Sequence, residues 1–227
     1  LSSPEDGDET GLAPTFTWDK SSDADLNDDL SYTLSLGSNQ NILSDIEVSS
    51  NSSSDNFSLS FDGQNDYVTI PNNTSLDNQT QTVEVWIKTD DMGSGHDGFW
   101  FEKGSLNTQY SLFHTNGSIY WRHNIGGGNN DLTTTMSTYM NTSNWYQVVG
   151  TYTSGDRRLY INGVQVNSDT ASGTVATNSG GMTIGAYNSG SPSYFYNGNY
   201  AICRVYNKAL TATEVEQNYN ANKGRYA

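Results

Sequence analysis

Short alternations of apolar and polar residues, separated by turn residues at regular intervals, run from residue 57 to residue 206 of this 227-residue chain. Alternation with a period of two places successive side chains on opposite faces of an extended strand. Asn162-Gly163 and Asn116-Gly117 each stand between two such strands. A type I′ hairpin turn favours Asn-Gly because both central residues need positive φ. The pattern predicts an all-β antiparallel sandwich.

The individual strands follow from the alternation and from the turns that bound it. They are predicted at 57–61, 66–70, 81–88, 98–103, 109–115, 118–123, 145–152, 157–162, 164–168, 182–187 and 196–206. After the last strand, Thr211 and Glu214 form a capping box, in which each side chain satisfies the other residue's open amide. Val215 and Tyr219, four residues apart, give the following short helix one apolar side.

The two ends of this stretch carry matching signals. Phe57–Ile70 reads as two strands around an Asp62-Gly63 turn, and Tyr196–Leu210 reads as one long strand before the capped helix. Together they resemble the start and the finish of a laminin-G-like (concanavalin A-like) jellyroll domain, of the type found in bacterial extracellular and marine phage structural proteins. The resemblance implies an antiparallel jellyroll β-sandwich over residues 57–227, ending in a short helix.

Residues 1–50 lie outside that domain, and residues 51–56 are predicted to be a linker because they are mostly Ser and Asn. Leu30–Leu36 alternates like a strand, and the segment resembles part of a fibronectin-III or cadherin-like repeat. Two or three strands cannot bury both of their faces alone. We therefore predict a partial β-sandwich segment that either lies against the jellyroll or pairs with a neighbouring chain.

The net charge of −15 is concentrated in this N-terminal segment, which holds 11 of the 25 acidic residues and one of the 10 basic residues. An acidic chain without a basic cluster disfavours nucleic acid and anionic membranes as partners. No apolar run reaches membrane-spanning length, so we expect no membrane insertion. An acidic surface rich in Asn, Ser and Thr suits a salty medium, and we predict an extracellular, cell-surface or virion-surface protein.

The single cysteine, Cys203, excludes an intrachain disulfide. It stands in the long last strand, among apolar residues. Free cysteine is among the most buried residue types, so Cys203 is predicted to be a small apolar residue of the core.

The strands lack the arrangement of carboxylates that sugar-cleaving enzymes need. Those enzymes use a pair of carboxyl groups, one on each side of the glycosidic bond. Glu84 and Glu102, in contrast, are each the only acidic residue of their predicted strand. Each is predicted to be a solvated strand residue. The chain also contains no zinc-protease, nucleophile-elbow or phosphate-loop motif. The sequence therefore predicts a protein that is not an enzyme.

The N-terminal segment contains a run of oxygen-bearing side chains that is a candidate for calcium, which takes oxygen ligands. The candidate ligands, at alternating positions, are Asp23, Asp25, Asn27 and Asp29. The run resembles the Asp-x-Asp loops of cadherin-like repeats, where calcium stiffens a domain junction. The alternative is an acidic turn exposed to solvent.

Asp62 and Asp66, in the first turn of the predicted jellyroll, form a second candidate for calcium. Concanavalin A-like domains often hold an ion near this turn, shared with an acid from the last strand. Here Ala201 and Ile202 stand where many relatives carry that acid. The alternative is that Asp62 accepts amide hydrogen bonds within its own turn.

A cluster of aromatic and polar residues is the candidate for carbohydrate recognition, which needs rings that stack on sugars and polar groups that fix hydroxyls. On one predicted strand, Tyr120 and Arg122 share one face while Trp121 and His123 share the other, so one pair can be buried while the other lines a surface. The Gly-rich run 126–131 is predicted to be a flexible loop or turn. The candidate ligand-binding residues are Tyr120, Trp121, Arg122, His123, Asn130, Asp131 and Tyr194.

These features together predict a non-enzymatic adhesion or recognition module, carbohydrate-binding and part of an appendage or fibre. Its partner would be a glycan or another cell-surface ligand. The alternative is a structural subunit of a filament or capsid, in which the jellyroll decorates the surface and residues 1–50 pair with a neighbouring copy. The partners would then be further copies or other subunits.

Overall fold

A computed structural model describes residues 46–47, 58–92, 98–105, 107–188 and 190–226. One α-helix, α1 (Ala212–Tyr226), and two single 3-10 turns, Thr74–Leu76 and Met136–Thr138, occur in this part of the chain. The strands are β1 (Ile46–Glu47), β2 (Leu59–Asp62), β3 (Val68–Ile70), β4 (Gln81–Thr89), β5 (Gly98–Ser105), β6 (Asn107–Thr115), β7 (Ser118–Ile125), β8 (Gly128–Thr135), β9 (Tyr146–Thr153), β10 (Asp156–Ile161), β11 (Val164–Asp169), β12 (Met182–Ile184), β13 (Tyr187–Asn188), β14 (Pro192–Ser193) and β15 (Asn197–Tyr206).

Two antiparallel sheets pack against each other around one core. The larger sheet has seven strands in the order β1-β15-β4-β9-β10-β11, with β2 also paired to β15. The smaller sheet has six strands in the order β3-β12-β5-β6-β7-β8, and β13 and β14 form a separate small hairpin. The predicted all-β jellyroll sandwich with a C-terminal helix is therefore confirmed.

The side chain of Trp121, on β7 of the smaller sheet, reaches across the core and contacts the larger sheet. Its indole Nε1 donates a hydrogen bond to the carbonyl of Thr151 on β9, at 3.1 Å. The neighbouring Gly150 permits this approach, because a Cβ there would lie 2.5 Å from the indole ring. Cys203 is buried on β15, as predicted, and burial raises the pKa of its thiol to about 12.

Helix α1 covers the outer face of the larger sheet. Val215 packs in a buried cluster with Val149 and Tyr160, and Tyr219 stacks on Trp86 with ring centroids 5.8 Å apart. The capping box is confirmed: the Thr211 amide donates to a Glu214 carboxylate oxygen at 2.8 Å, and the Glu214 amide donates to the Thr211 hydroxyl at 3.3 Å. The outer face of the smaller sheet has no such helix over it among the described residues.

One local prediction needs correction because strand pairing is not set by the nearest turn alone. The Asp62-Gly63 turn does not close a hairpin, since β2 pairs with β15 in the larger sheet and β3 pairs with β12 in the smaller one. Of the two alternatives for residues 126–131, the turn is the one observed: Gly126 and Gly127, with φ of 64° and 83°, form a turn that leads directly into β8.

Most of the N-terminal segment lies outside the described residues, and so do the linker 51–56 and the candidate calcium ligands Asp23, Asp25, Asn27 and Asp29. The described exception is β1, whose two residues pair antiparallel with Ile202 and Cys203 of β15. A short piece of the segment therefore extends the larger sheet of the jellyroll.

Candidate ligand-binding face

A row of polar residues crosses the outer face of the smaller sheet. Paired residues on adjacent strands share a face, and the register places five polar side chains side by side from β12 to β8. We call this set the polar row; its members are Thr183, Glu102, Ser111, Arg122 and Asp131. The hydroxyls of Ser111 and Thr183 are buried and have no hydrogen-bond partner among the described residues. Thr183, Glu102 and Ser111 are buried, so the members of the row that a ligand can reach are Arg122 and Asp131.

A row of aromatic rings runs beside the polar row. Phe99 pairs with Phe113, and Phe113 pairs with Tyr120. Their rings form a column, with centroids 4.4 Å apart for the first pair and 4.9 Å for the second and planes within 14° of parallel. The two Phe side chains are buried, whereas Tyr120 is partly exposed at the end of the column. We call this set the aromatic row.

Arg122 and Asp131 link the two rows. The guanidinium Nε and Nη2 donate to the two carboxylate oxygens at 2.7 and 2.8 Å, so the pair is bidentate. The Arg122 Cζ atom also lies 4.8 Å from the centre of the Phe113 ring, a cation–π contact. The hydrogen bonds to Asp131 raise the pKa of Arg122 above its ordinary value. The charges are thus fixed in one geometry at the surface.

Tyr194 and Tyr187 stand at the other end of the aromatic row. Their rings are 6.2 and 5.0 Å from the ring of Phe99, and Tyr194 is 52% exposed. Tyr194 has a φ of 52°, which is unusual for a bulky residue and costs of order 1–3 kcal/mol. Its carbonyl accepts a hydrogen bond from the Phe99 amide at 3.2 Å, which anchors the strained residue to β5. Strain of this kind is concentrated at binding sites.

Glu102 lies in the polar row and is buried, so the prediction that it is solvated is wrong. Its carboxylate accepts hydrogen bonds from the Thr108 hydroxyl at 2.9 Å and from the Asn188 amide at 2.6 Å. Burial raises the pKa of Glu102 to about 7, although these hydrogen bonds and the charge of Arg122 oppose the shift. The carboxylate ties the β13–β14 hairpin to the sheet through Asn188.

Glu84 is buried as well, but on the opposite side of the molecule. It faces α1 from the larger sheet, and it accepts hydrogen bonds from Gln147 at 2.8 Å and from Asn218 at 2.7 Å. The prediction that Glu84 is solvated is therefore wrong too. Because the whole core separates Glu84 from Glu102, these two carboxylates cannot flank one glycosidic bond.

The structure divides the predicted ligand-binding residues between two faces. Tyr120, Arg122, Asp131 and Tyr194 lie on or beside the outer face of the smaller sheet. Trp121 and His123 are fully buried in the core, so the expectation that they contact a ligand is corrected. Burial lowers the pKa of His123 well below its ordinary value, and the nearby Arg157 lowers it further.

Asn130 is also turned away from the outer face. It pairs with His123, and its side-chain amide donates to the carbonyls of Ile125 and Gly128 in its own turn, at 3.3 and 3.0 Å. Its own carbonyl accepts a hydrogen bond from Arg157 at 2.8 Å. Asn130 therefore stabilises the β7–β8 hairpin, and its side chain lies on the opposite face of β8 from that of Asp131.

The Asp62 and Asp66 carboxylates already accept amide hydrogen bonds. Asp62 Oδ1 accepts from the Gln64 amide at 2.8 Å, and Asp66 Oδ2 accepts from the Asp62 amide at 2.9 Å. Calcium takes six to eight oxygen ligands, yet no group of three acidic, His or Cys side chains that could hold a metal occurs in the part of the chain that the structure describes. The hydrogen bonds favour the alternative role of Asp62 within its own turn, and calcium at Asp62 and Asp66 stays a prediction.

Six contributors to the face were missed by the sequence reasoning: Phe99, Glu102, Ser111, Phe113, Thr183 and Tyr187. Two of them, Phe113 and Ser111, could have been predicted from the sequence. The two-residue turn at 116–117 places Phe113 opposite Tyr120 and Ser111 opposite Arg122. The other four depend on pairing between distant strands or on the β13–β14 hairpin, for which the sequence holds no local signal.

Comparison with known proteins identifies the family. A laminin-G family model described as the concanavalin A-like lectin/glucanases superfamily matches residues 62–216, more than half of the chain. No curated protein matches the sequence. Among the described residues, no helix is both long and apolar enough to cross a membrane.

Solved structures with the same fold include bacterial binding domains. The binding domain of botulinum neurotoxin DC, solved with rat synaptotagmin II, has a TM-score of 0.53 and 14% identity, covering 66% of this chain and 38% of that one. The binding domain of Paraclostridial Mosquitocidal Protein 1 has a TM-score of 0.55 and 18% identity, covering 70% and 41%. The matches to these toxin domains therefore span about two fifths of their length.

A third solved structure is matched over most of its own length. The CBM40 domain of the Ruminococcus gnavus IT-sialidase has a TM-score of 0.53 and 17% identity, covering 64% of this chain and 85% of that one. At such identities the likeness establishes the fold alone. Together with the family model over residues 62–216, it confirms the predicted resemblance: the chain belongs to the concanavalin A-like lectin/glucanase superfamily.

Proposed function

We propose that this chain is a non-enzymatic carbohydrate-binding module, which serves adhesion or recognition in an extracellular or virion-surface appendage. The observation that carries the proposal is the juxtaposition of the aromatic row and the polar row on the one sheet face that α1 does not cover. Sugar recognition requires this combination of ring faces and fixed polar groups. The solved structures with the same fold include the binding domain of botulinum neurotoxin DC and a sialidase CBM40 domain, which supports a binding role.

The ring faces that a sugar can reach belong to Tyr120 and Tyr194. Both are at least partly exposed, and each lies near a buried Phe ring: Tyr120 stacks on Phe113, and the ring of Tyr194 is 6.2 Å from that of Phe99. Aromatic residues fixed by packing lose little entropy when a ligand stacks on them. Arg122 and Asp131, one step along the sheet, supply the polar contacts.

A glycan array probed with the full chain tests the proposal directly. We expect saturable binding to at least one class of immobilised oligosaccharide. Tyr120→Ala and Tyr194→Ala should each weaken it by at least about tenfold, equivalent to about 1.4 kcal/mol. Tyr139→Ala is the matched control, because Tyr139 is 40% exposed and makes no ring contact with either row.

Two results would contradict the proposal. Absence of binding across the array would refute a carbohydrate-binding role. Equal loss in the Tyr120, Tyr194 and Tyr139 variants would place the binding site elsewhere. Thermal melts of all three variants exclude loss of folding as the cause.

A structural-subunit role is a second proposal, favoured by the pairing of β1. Ile46 and Glu47 show that the N-terminal segment can add a strand to β15 in the larger sheet. A neighbouring copy could supply the same strand by β-augmentation. Analytical ultracentrifugation should then detect oligomers that the double variant Ile46→Pro, Glu47→Pro cannot form, because proline removes the ladder amides. A monomeric parent chain would contradict this proposal.

A further inference from the structure

The charges on the outer face of the smaller sheet select the kind of sugar that it can bind. Arg122 is the one basic side chain on this face among the described residues, and both oxygens of Asp131 already bind it. Glu102 adds a second carboxyl group to the same row. The face therefore carries no uncompensated positive charge.

We infer that the site proposed above takes a neutral sugar and discriminates against carboxylated sugars. The inference rests on the proposed carbohydrate-binding function and names its ligand class. A carboxylated sugar at Arg122 would either displace Asp131 and leave its carboxylate unpaired, or bind the remaining Nη1 close to that carboxylate. Both placements put two anions side by side. Like charges placed together at a binding site disfavour the complex.

The Arg122–Asp131 pair retains hydrogen-bonding capacity that suits hydroxyl groups. The hydrogen bonds to Asp131 use Nε and Nη2, and Nη1 makes no hydrogen bond to the residues that the structure describes. Each carboxylate oxygen can accept a second hydrogen bond. A sugar hydroxyl both donates and accepts, so two adjacent hydroxyls can bind the guanidinium and the carboxylate together without breaking the ion pair.

The position of the pair relative to the rings supports the same ligand. Arg122 lies over Phe113, and Phe113 stacks on Tyr120, so the polar pair and the partly exposed ring of Tyr120 are neighbours on the sheet. A pyranose stacked on Tyr120 presents its equatorial hydroxyls at the edge of the ring. Those hydroxyls then face Arg122 and Asp131.

The test is an array of matched neutral and carboxylated oligosaccharides, such as lactose beside 3′-sialyllactose and oligogalactose beside oligogalacturonate. We expect the parent chain to bind neutral members at least about tenfold more tightly, a difference of about 1.4 kcal/mol. Binding of the neutral members should also change little between low and high salt, because no net charge pairing is involved.

Asp131→Asn is the decisive variant, because it keeps the shape of the side chain and releases the charge of Arg122. We expect it to reduce the preference for neutral sugars by about tenfold or to reverse it. Asp156→Asn is the matched control: it causes the same change in net charge and breaks a comparable pair with Arg158 on the larger sheet, at 2.7 Å. It should leave the preference unchanged.

Each alternative outcome has a distinct meaning. Tighter binding of carboxylated members by the parent chain would overturn the inference and leave the proposed carbohydrate-binding function standing. An equal shift in the Asp131 and Asp156 variants would overturn the role of the local pair. No binding to any member would refute the proposed function and this inference with it.

Discussion

The replacement Glu102→Gln should change how the stability of the protein depends on pH. The pKa of this buried carboxyl group is raised from 4.5 to about 7 by desolvation. Between these two values the folded state holds a proton that the unfolded state has released. Stability contributed by this group is therefore complete below about pH 4.5 and is lost as the pH rises through 7.

The size of the effect follows from the shift. A change of roughly 2.5 units at about 1.36 kcal/mol per unit gives about 3 kcal/mol between the two limits. Glutamine keeps the shape, can accept from the Asn188 amide and can donate to the Thr108 hydroxyl, so both contacts of Glu102 survive in the variant. The variant should therefore lack this pH dependence.

Urea unfolding of both proteins at pH 5 and pH 8 measures the effect. We expect the parent to lose up to about 3 kcal/mol more than the variant between these pH values. Glu214→Gln serves as a control, because Lys208 and the Thr211 amide lower the pKa of this exposed carboxyl to about 2, so its effect is confined to acid below about pH 4.5. Equal losses in the parent and in Glu102→Gln would refute the argument from burial.

Three further predictions concern the core, a buried cation and calcium. Gly150→Ala should destabilise the fold by about 1–3 kcal/mol in chemical denaturation, because the added Cβ would overlap the Trp121 ring. In the control Gly128→Ala the added Cβ meets open space, so no comparable destabilisation is expected. Lys103→Met should lower the free energy of unfolding by about 3–5 kcal/mol in the same assay, because the fully buried ammonium binds Asp77 at 3.1 Å and the Gly180 carbonyl at 2.7 Å. The control Lys208→Met removes a lysine from an exposed ion pair and should cost under about 1 kcal/mol. Similar costs for the two variants would contradict the prediction. Calcium binding by the N-terminal aspartates remains a prediction. If it occurs, the Tm should be higher in the presence of calcium than in the presence of a chelator. Asp62→Asn should leave the calcium-dependent increase in Tm unchanged, because Asp62 accepts a hydrogen bond within its own turn. A smaller increase in this variant would identify Asp62 as a calcium ligand.

The sequence predicted those parts of the candidate ligand-binding face that depend on local geometry. The two-residue Asn116-Gly117 turn has positive φ at both positions, as its type requires, and this fixes which residues of β6 and β7 are paired. The alternation of Tyr120 and Arg122 against Trp121 and His123 is confirmed. What alternation could not decide is which of the two faces lies outside, because both carry aromatic and polar residues.

The sequence could not predict the burial of the two isolated glutamates. Glu84 alternates with apolar residues, as a solvated residue would, but α1 covers its face of the larger sheet and supplies Asn218 as a partner. Glu102 is covered through contacts with the distant Asn188. A carboxylate on one strand gives no local indication that a segment more than eighty residues away will pack over it.

The sequence by itself determined the fold class, the two Asn-Gly hairpin turns and the capped helix, because each is encoded in neighbouring residues, and the two ends of the domain carried the resemblance to the family. Tertiary structure alone decided that β2 and β3 enter different sheets and that β5 lies beside β6 with Phe99 against Phe113. It also decided that α1 covers the larger sheet and not the smaller one, where only part of the outer face, including Arg122 and Asp131, is accessible. These outcomes depend on contacts between distant segments, whose pairing is selected by burial of the whole core and not by any one stretch of chain.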